Sequence, residues 1–263
     1  MEKQIIGRGL LAGALAGVLA FAFARIFLEP VIGRAIDFES GVGAAHEGMG
    51  HGGHDHGVEL FTRGVQANFG MGLGVLAFSV AMGALFAVVF AVAHGRVGNV
   101  STRTLSVLVA GSMLVSLYVV PALKYPANPP AVSLEETIRQ RTLLYLLMVV
   151  VSAAMFLGAV YLGRRLVSRL GAWNATLVAA AGYVVAMAVV MLVLPTIDET
   201  PGPLRDEAGT IVYPGFPADD LYQFRLYSLG VQVVMWVAIG LVFSALISKV
   251  LDGRRSAADA HLA

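Results

Sequence analysis

From Asn68 to Ala93 the chain reads NFGMGLGVLAFSVAMGALFAVVFAVA, without one charged side chain. About 20 apolar residues in helical form cross the hydrocarbon core of a bilayer. Inside lipid every backbone N–H and C=O must be paired within its own segment, so a run like this one is a membrane helix. Five further runs fit the same reading. With boundaries to within a few residues, the spans are 5–28, 68–93, 104–123, 142–162, 174–194 and 224–248. The expected fold class is therefore all-α, a polytopic integral membrane protein of about six transmembrane helices.

Composition agrees. Of 263 residues, 57% are hydrophobic and 13% charged, against about 25% charged in soluble domains. A net charge of +1 gives no basic surplus that would suggest nucleic acid. Cysteine is absent, which excludes disulfides and thiolate metal sites. Any transition-metal site must use His, carboxylate, Met or backbone oxygen.

The first span carries Gly9, Gly13 and Gly17 at every fourth position, a face that permits close helix packing. Alanine at Gly13 is expected to be mild there and leucine disruptive. Lys3, Arg8 and Ala22-Phe23-Ala24 also resemble a cleaved signal peptide. The run exceeds a usual signal core, so a retained helix is the preferred reading. Arg25 is placed to pair with Glu29 one turn on, or to snorkel outward. Lys124-Tyr125-Pro126-Ala127-Asn128-Pro129-Pro130 is a stiff turn that cannot be helical. Ser133 and Glu136 fit a capping box for the fourth helix. Arg139 and Arg141 read as interfacial anchors. Residues 1–251 are read as a single transmembrane domain, with long loops at 29–67 and 195–219 and a disordered tail at 252–263.

The links expected on one side hold Lys3, Arg8, Arg96, Arg103, Arg164, Arg165, Arg169, Lys249, Arg254 and Arg255. All acidic residues but Glu2, Asp252 and Asp259 fall in the other loops or at their edges. The positive-inside rule then puts both termini in the cytoplasm of a plasma-membrane protein and the 29–67 loop outside.

That loop contains His46-Glu47-Gly48-Met49-Gly50-His51-Gly52-Gly53-His54-Asp55-His56-Gly57. A His-rich tract reads as metal binding. Neutral imidazole suits borderline divalent ions, and the glycines let several rings converge on one centre. His46, His51, His54 and His56 are the candidate metal ligands. The bland alternative is a mobile linker, since ordering a glycine-rich loop around an ion costs entropy. His94 reads as structural. Met187 and Met191 read as core packing. Asn68, Ser228 and Gln232 are candidates for a polar route, or for ordinary interhelical hydrogen bonds. No Gly-x-x-x-x-Gly-Lys-Ser/Thr and no His-Glu-x-x-His occurs, and the spans hold no acid, base or nucleophile constellation. The chain is not expected to be an enzyme.

Leu123-Lys124-Tyr125-Pro126-Ala127-Asn128-Pro129-Pro130-Ala131-Val132 resembles a hallmark of the family called probable cobalt transporter subunit CbtA. So does Gly215-Phe216-Pro217-Ala218-Asp219-Asp220-Leu221, followed by Phe224-Arg225-Leu226 and Ser228. The resemblance covers nearly the whole chain. It implies a membrane protein of cobalt uptake, often with a small His-bearing subunit called CbtB. That family is often described with five spans, where six are counted here. The expected function is membrane uptake of a divalent metal, Co2+ by resemblance, captured by the histidine tract. The lipid bilayer, the cation and a CbtB-like subunit are the expected partners, with no nucleic acid. The alternative is a metal-binding accessory or sensor that does not translocate.

Overall fold

The structure is a computed structural model that describes residues 2–49, 62–98 and 100–262. Among the described residues five helical runs are long and apolar enough to cross a membrane: α1 (Glu2–Gly48), α2 (Arg63–Ala93), α3 (Thr102–Lys124), a run over Glu136–Val193, and the apolar part of a last helix at Ala218–Ser248. The run from Glu135 to Val193 is two helices. Gly171 interrupts it with φ +74° and ψ 164°, a conformation that glycine adopts without a Cβ penalty. The two legs fold back on each other. Ser152 and the Tyr183 hydroxyl share a hydrogen bond of 2.8 Å. Met148 and Met187 lie in one core cluster, and a Cβ on Gly163 would stand 3.2 Å from that of Ala179. Such contacts cannot form along one straight helix. We label the legs α4 (135–170) and α5 (172–193), and the last helix α6 (Ala218–Leu262). Their large apolar side chains, among them Leu157, Val184 and Leu192, are exposed. Exposed apolar surface on this scale is what lipid covers. The chain is an all-α polytopic membrane protein.

By contacts the chain divides into two compact units, residues 1–114 with 222–263, and residues 115–221. In the first, α1 and α2 run antiparallel with their backbones in contact. A Cβ on Gly13 would lie 2.4 Å from the carbonyl oxygen of Ser79, and one on Gly83 would lie 2.3 Å from that of Gly9. Gly17 faces Leu76, and Gly72 faces the ring of Phe21. α6 completes this unit. Gly230 takes the Phe23 ring, Gly240 takes Ala110, and Phe243 packs edge-on against Phe86 and Phe90. The His94 ring stacks on Phe90, with centroids 5.5 Å apart, as its structural reading expects.

Three features differ from the sequence expectation. The segment 29–48, expected as the start of a loop, is helical. Its polar sequence hides an apolar stripe, Val31, Ala35 and Phe38, and all three are buried. Arg34 also ties it to α6 by donating to Gln223 Oε1 at 2.8 Å. Pro30 is tolerated because the chain takes a π turn at Ala24–Leu28 just before it. Proline supplies no N–H and its ring crowds the carbonyl four residues back, so a widened turn relieves it. Pro121 follows a second π turn, Val115–Val119, at the same spacing. The basic stretch 164–170 is likewise helical, and the turn falls on Gly171 alone. The expected capping box at Ser133 is not used. Leu134 is the N-cap and offers no side-chain bond, while Ser133 Oγ accepts from Arg141 at 3.4 Å.

Alanine at Gly13 is therefore not mild, since even one methyl meets rigid backbone. Gly13→Ala should lower the melting temperature of the purified protein in detergent. Gly74→Ala, where a Cβ meets nothing within 4 Å, should leave it unchanged or raise it slightly. Equal melting of the Gly13→Ala and wild-type proteins would mean that this face is not packed.

Candidate functional site

His46 sits in the last turn of α1, beyond its apolar part. Its Nδ1 lies 3.1 Å from the carbonyl oxygen of Val42. A carbonyl only accepts, so Nδ1 carries a proton, and the neutral ring would bind a metal through Nε2. His51, His54 and His56 lie outside the described residues. Among the described residues no group of three His, Asp or Glu is close enough to hold a metal ion.

At the foot of the same helical leg, α1 and α2 exchange charges. Arg25 Nε donates to Asn68 Oδ1 at 3.0 Å, and Asn68 Nδ2 donates to the Gly64 carbonyl at 2.8 Å. Arg63 Nη2 meets Glu29 Oε1 at 2.5 Å. The sequence leaves Arg25 to pair with Glu29 or to snorkel outward. Both instead face α2, which supplies each with its own partner. Among the proposed polar-route residues, Asn68 is thus engaged by Arg25.

A second constellation lies wholly within the second unit. Glu199 is 5% exposed, and its carboxylate is saturated with donors. Asn128 Nδ2 donates to Oε2 at 2.9 Å, Arg141 Nη1 to the same oxygen at 3.1 Å, and Thr137 Oγ1 to Oε1. Arg141 also donates to the Pro126 carbonyl. The Tyr125 hydroxyl donates to the Pro195 carbonyl at 2.7 Å. Burial pushes that phenol above its ordinary pKa, which keeps it a neutral donor. Lys124 Nζ donates to Thr196 at 3.1 Å. These bonds fasten the proline-rich turn after α3 to the segment after α5. Beside them lies a cavity of about 430 Å³ whose lining includes Tyr118, Tyr145 and Arg141. Sequence reasoning placed Glu199 among the acids of a loop and Arg141 among interfacial anchors. The usable signal was the proline stiffening of both segments, which holds them still enough to share one buried charge.

A family model described as probable cobalt transporter subunit (CbtA) matches residues 2–248. The chain belongs to the CbtA family. The match takes in every apolar helix and both proline-rich segments, and it ends with the apolar part of α6. No curated protein and no solved structure matches the chain. Within this CbtA chain the described residues thus offer His46 bonded through Nδ1, a carboxylate at Glu199 with three donors, and a half-occupied carboxylate at Glu29. The Glu29 Oε2 atom is buried and has no hydrogen-bond partner among the described residues.

The saturated carboxylate holds the fold. Removing one member of a buried ion pair costs about 3–5 kcal/mol, because the other charge is left uncompensated. Glu199→Ala should therefore lower the melting temperature and membrane yield sharply. Glu199→Gln retains an acceptor oxygen and should lose less. A Glu199→Ala protein as stable as wild type would exclude this clamp.

Proposed function

We propose that this chain is the membrane subunit of a cobalt uptake system and that His46, His51, His54 and His56 capture the ion outside the membrane. The family match over residues 2–248 carries the reading. Cobalt here is cargo. Imidazole binds nickel, copper and zinc as well, so the choice of metal rests on the family and not on ligand chemistry.

Helix geometry supports the place given to the tract. At about 1.5 Å per residue the 47 residues of α1 extend roughly 70 Å, more than twice a hydrocarbon core of about 30 Å. Its second half is a stem with His46 near the tip. The division of basic residues among the links supports cytoplasmic termini and an external tract. The acidic residues of the external loops raise the local cation concentration. Capture on a glycine-rich loop is weak, because ordering the loop opposes binding, and release is correspondingly quick. A CbtB-like membrane subunit is the proposed partner.

Uptake of radioactive cobalt by cells expressing the chain tests the reading. Replacing all four histidines by alanine should raise the cobalt concentration for half-maximal uptake severalfold. The maximal rate should barely change, because mass action bypasses a capture step. Unchanged uptake at trace cobalt would make the tract a linker. Flux into liposomes holding the purified chain alone separates a transporter from a metal-binding accessory protein.

A further inference from the structure

Glu29 is the described carboxylate that the fold leaves unfinished. It stands at the start of the helical leg Glu29–Gly48, directly after the π turn Ala24–Leu28. The residue is 9% exposed. One oxygen, Oε1, accepts from Arg63. The other, Oε2, is buried without a hydrogen-bond partner among the described residues. A buried acceptor left unpaired is destabilising, more so when it is charged. In proteins such a group ordinarily meets an ordered water, a ligand or an ion.

Three neighbouring features point to the kind of ligand. The partner, Arg63, is not locked in. Its side chain is 39% exposed, against 11% for that of Glu29, so the guanidinium is the partner that solvent reaches. Arg63 is the first lysine or arginine after the histidine tract, and only seven positions separate it from His56. Both facing helices take π turns beside the pair, at Ala24–Leu28 in α1 and Gln66–Gly70 in α2. Single π turns recur at functional sites, where they aim side chains that a regular helix would misdirect.

We propose that Glu29 is a cation acceptor at the foot of the stem, where the Arg63 guanidinium gives way to a partly hydrated divalent metal ion. The exchange keeps the carboxylate paired and replaces a single positive charge with a double one, so the site gains one positive charge. A cation leaves Glu29 Oε1 as another arrives, and the ion also engages Oε2, which the guanidinium leaves bare. A single carboxylate with water completing the shell suits a hard or borderline divalent ion. It binds weakly enough to pass the ion on. The proposal rests on the cation-uptake reading but not on the histidines. Glu29 lies 17 residues below His46 on one helical leg, roughly 26 Å at about 1.5 Å per residue.

Co2+ titration of purified protein in detergent tests this, with calorimetry reporting binding. The background is the variant in which His46, His51, His54 and His56 are all alanine. It should retain one Co2+ site. Adding Glu29→Gln, close to isosteric, should remove that site. Adding Arg63→Gln should tighten it by roughly tenfold, as a neighbouring guanidinium opposes any cation on a carboxylate. Misfolding cannot produce that gain, so the Arg63→Gln arm decides the matter even if Glu29→Gln proves unstable. No Co2+ site in the background variant overturns the proposal. So does binding unaffected by Glu29→Gln, and so does weaker or unchanged binding in Arg63→Gln. Failure of the capture reading appears separately, as uptake unchanged by the four alanines.

Discussion

The first unit depends on two backbones touching. α1 presents one stripe at every fourth residue: Gly9, Gly13, Gly17, Phe21, Arg25 and Glu29. α2 answers in antiparallel order with Gly83, Ser79, Leu76, Gly72, Asn68 and Arg63. The glycine part of the stripe is steric, and around Gly9, Gly13 and Gly83 there is no room for a side chain between the helices. The upper part is electrostatic, and charges pair across the same seam. Between helices in lipid the hydrophobic effect offers no net attraction, so close packing and hydrogen bonds must supply the association. An α-helix has about 3.6 residues per turn, so a stripe of fours drifts around it. A π turn needs more residues to close, and those at Ala24–Leu28 and Gln66–Gly70 slow the drift where the charged pairs meet.

The second unit meets a different demand. α4 and α5 form a hairpin that exposes much of its apolar surface, and its long connecting segments carry many backbone polar groups. Proline removes donors from those segments. The rest are tied down by a few strong bonds. Glu199 gathers three donors, Arg141 bridges to Pro126, and the Tyr125 hydroxyl reaches Pro195. A short antiparallel pair, Leu204–Arg205 with Ile211–Tyr213, closes the remainder. Its turn is set by Gly209 at φ +82° and by Asp206 Oδ1, which accepts from Thr210 N at 2.7 Å. Glu199 and Glu29 are both buried acids facing an arginine. They differ in the number of donors, three against one, which separates a fastening from a place where a cation can bind.

The apolar runs determined the fold class without help, because lipid leaves a spanning backbone almost no other choice. The glycine ladder of α1 was legible for the same reason, since four-residue spacing means one face. The histidine tract was legible as composition. His51, His54 and His56 lie outside the described residues, and of the four only His46 is described, its Nδ1 bonded to the Val42 carbonyl. Tertiary structure decided what composition cannot encode. It decided that 29–48 is a stem, because burial of Val31, Ala35 and Phe38 outweighs a polar sequence. It decided that Arg25 and Glu29 look across to α2, because helices crossing at backbone distance bring residues from distant positions closer than neighbours on one helix. It also decided which of the described acidic residues are buried and how many donors they meet, and that depends on where two chain segments cross.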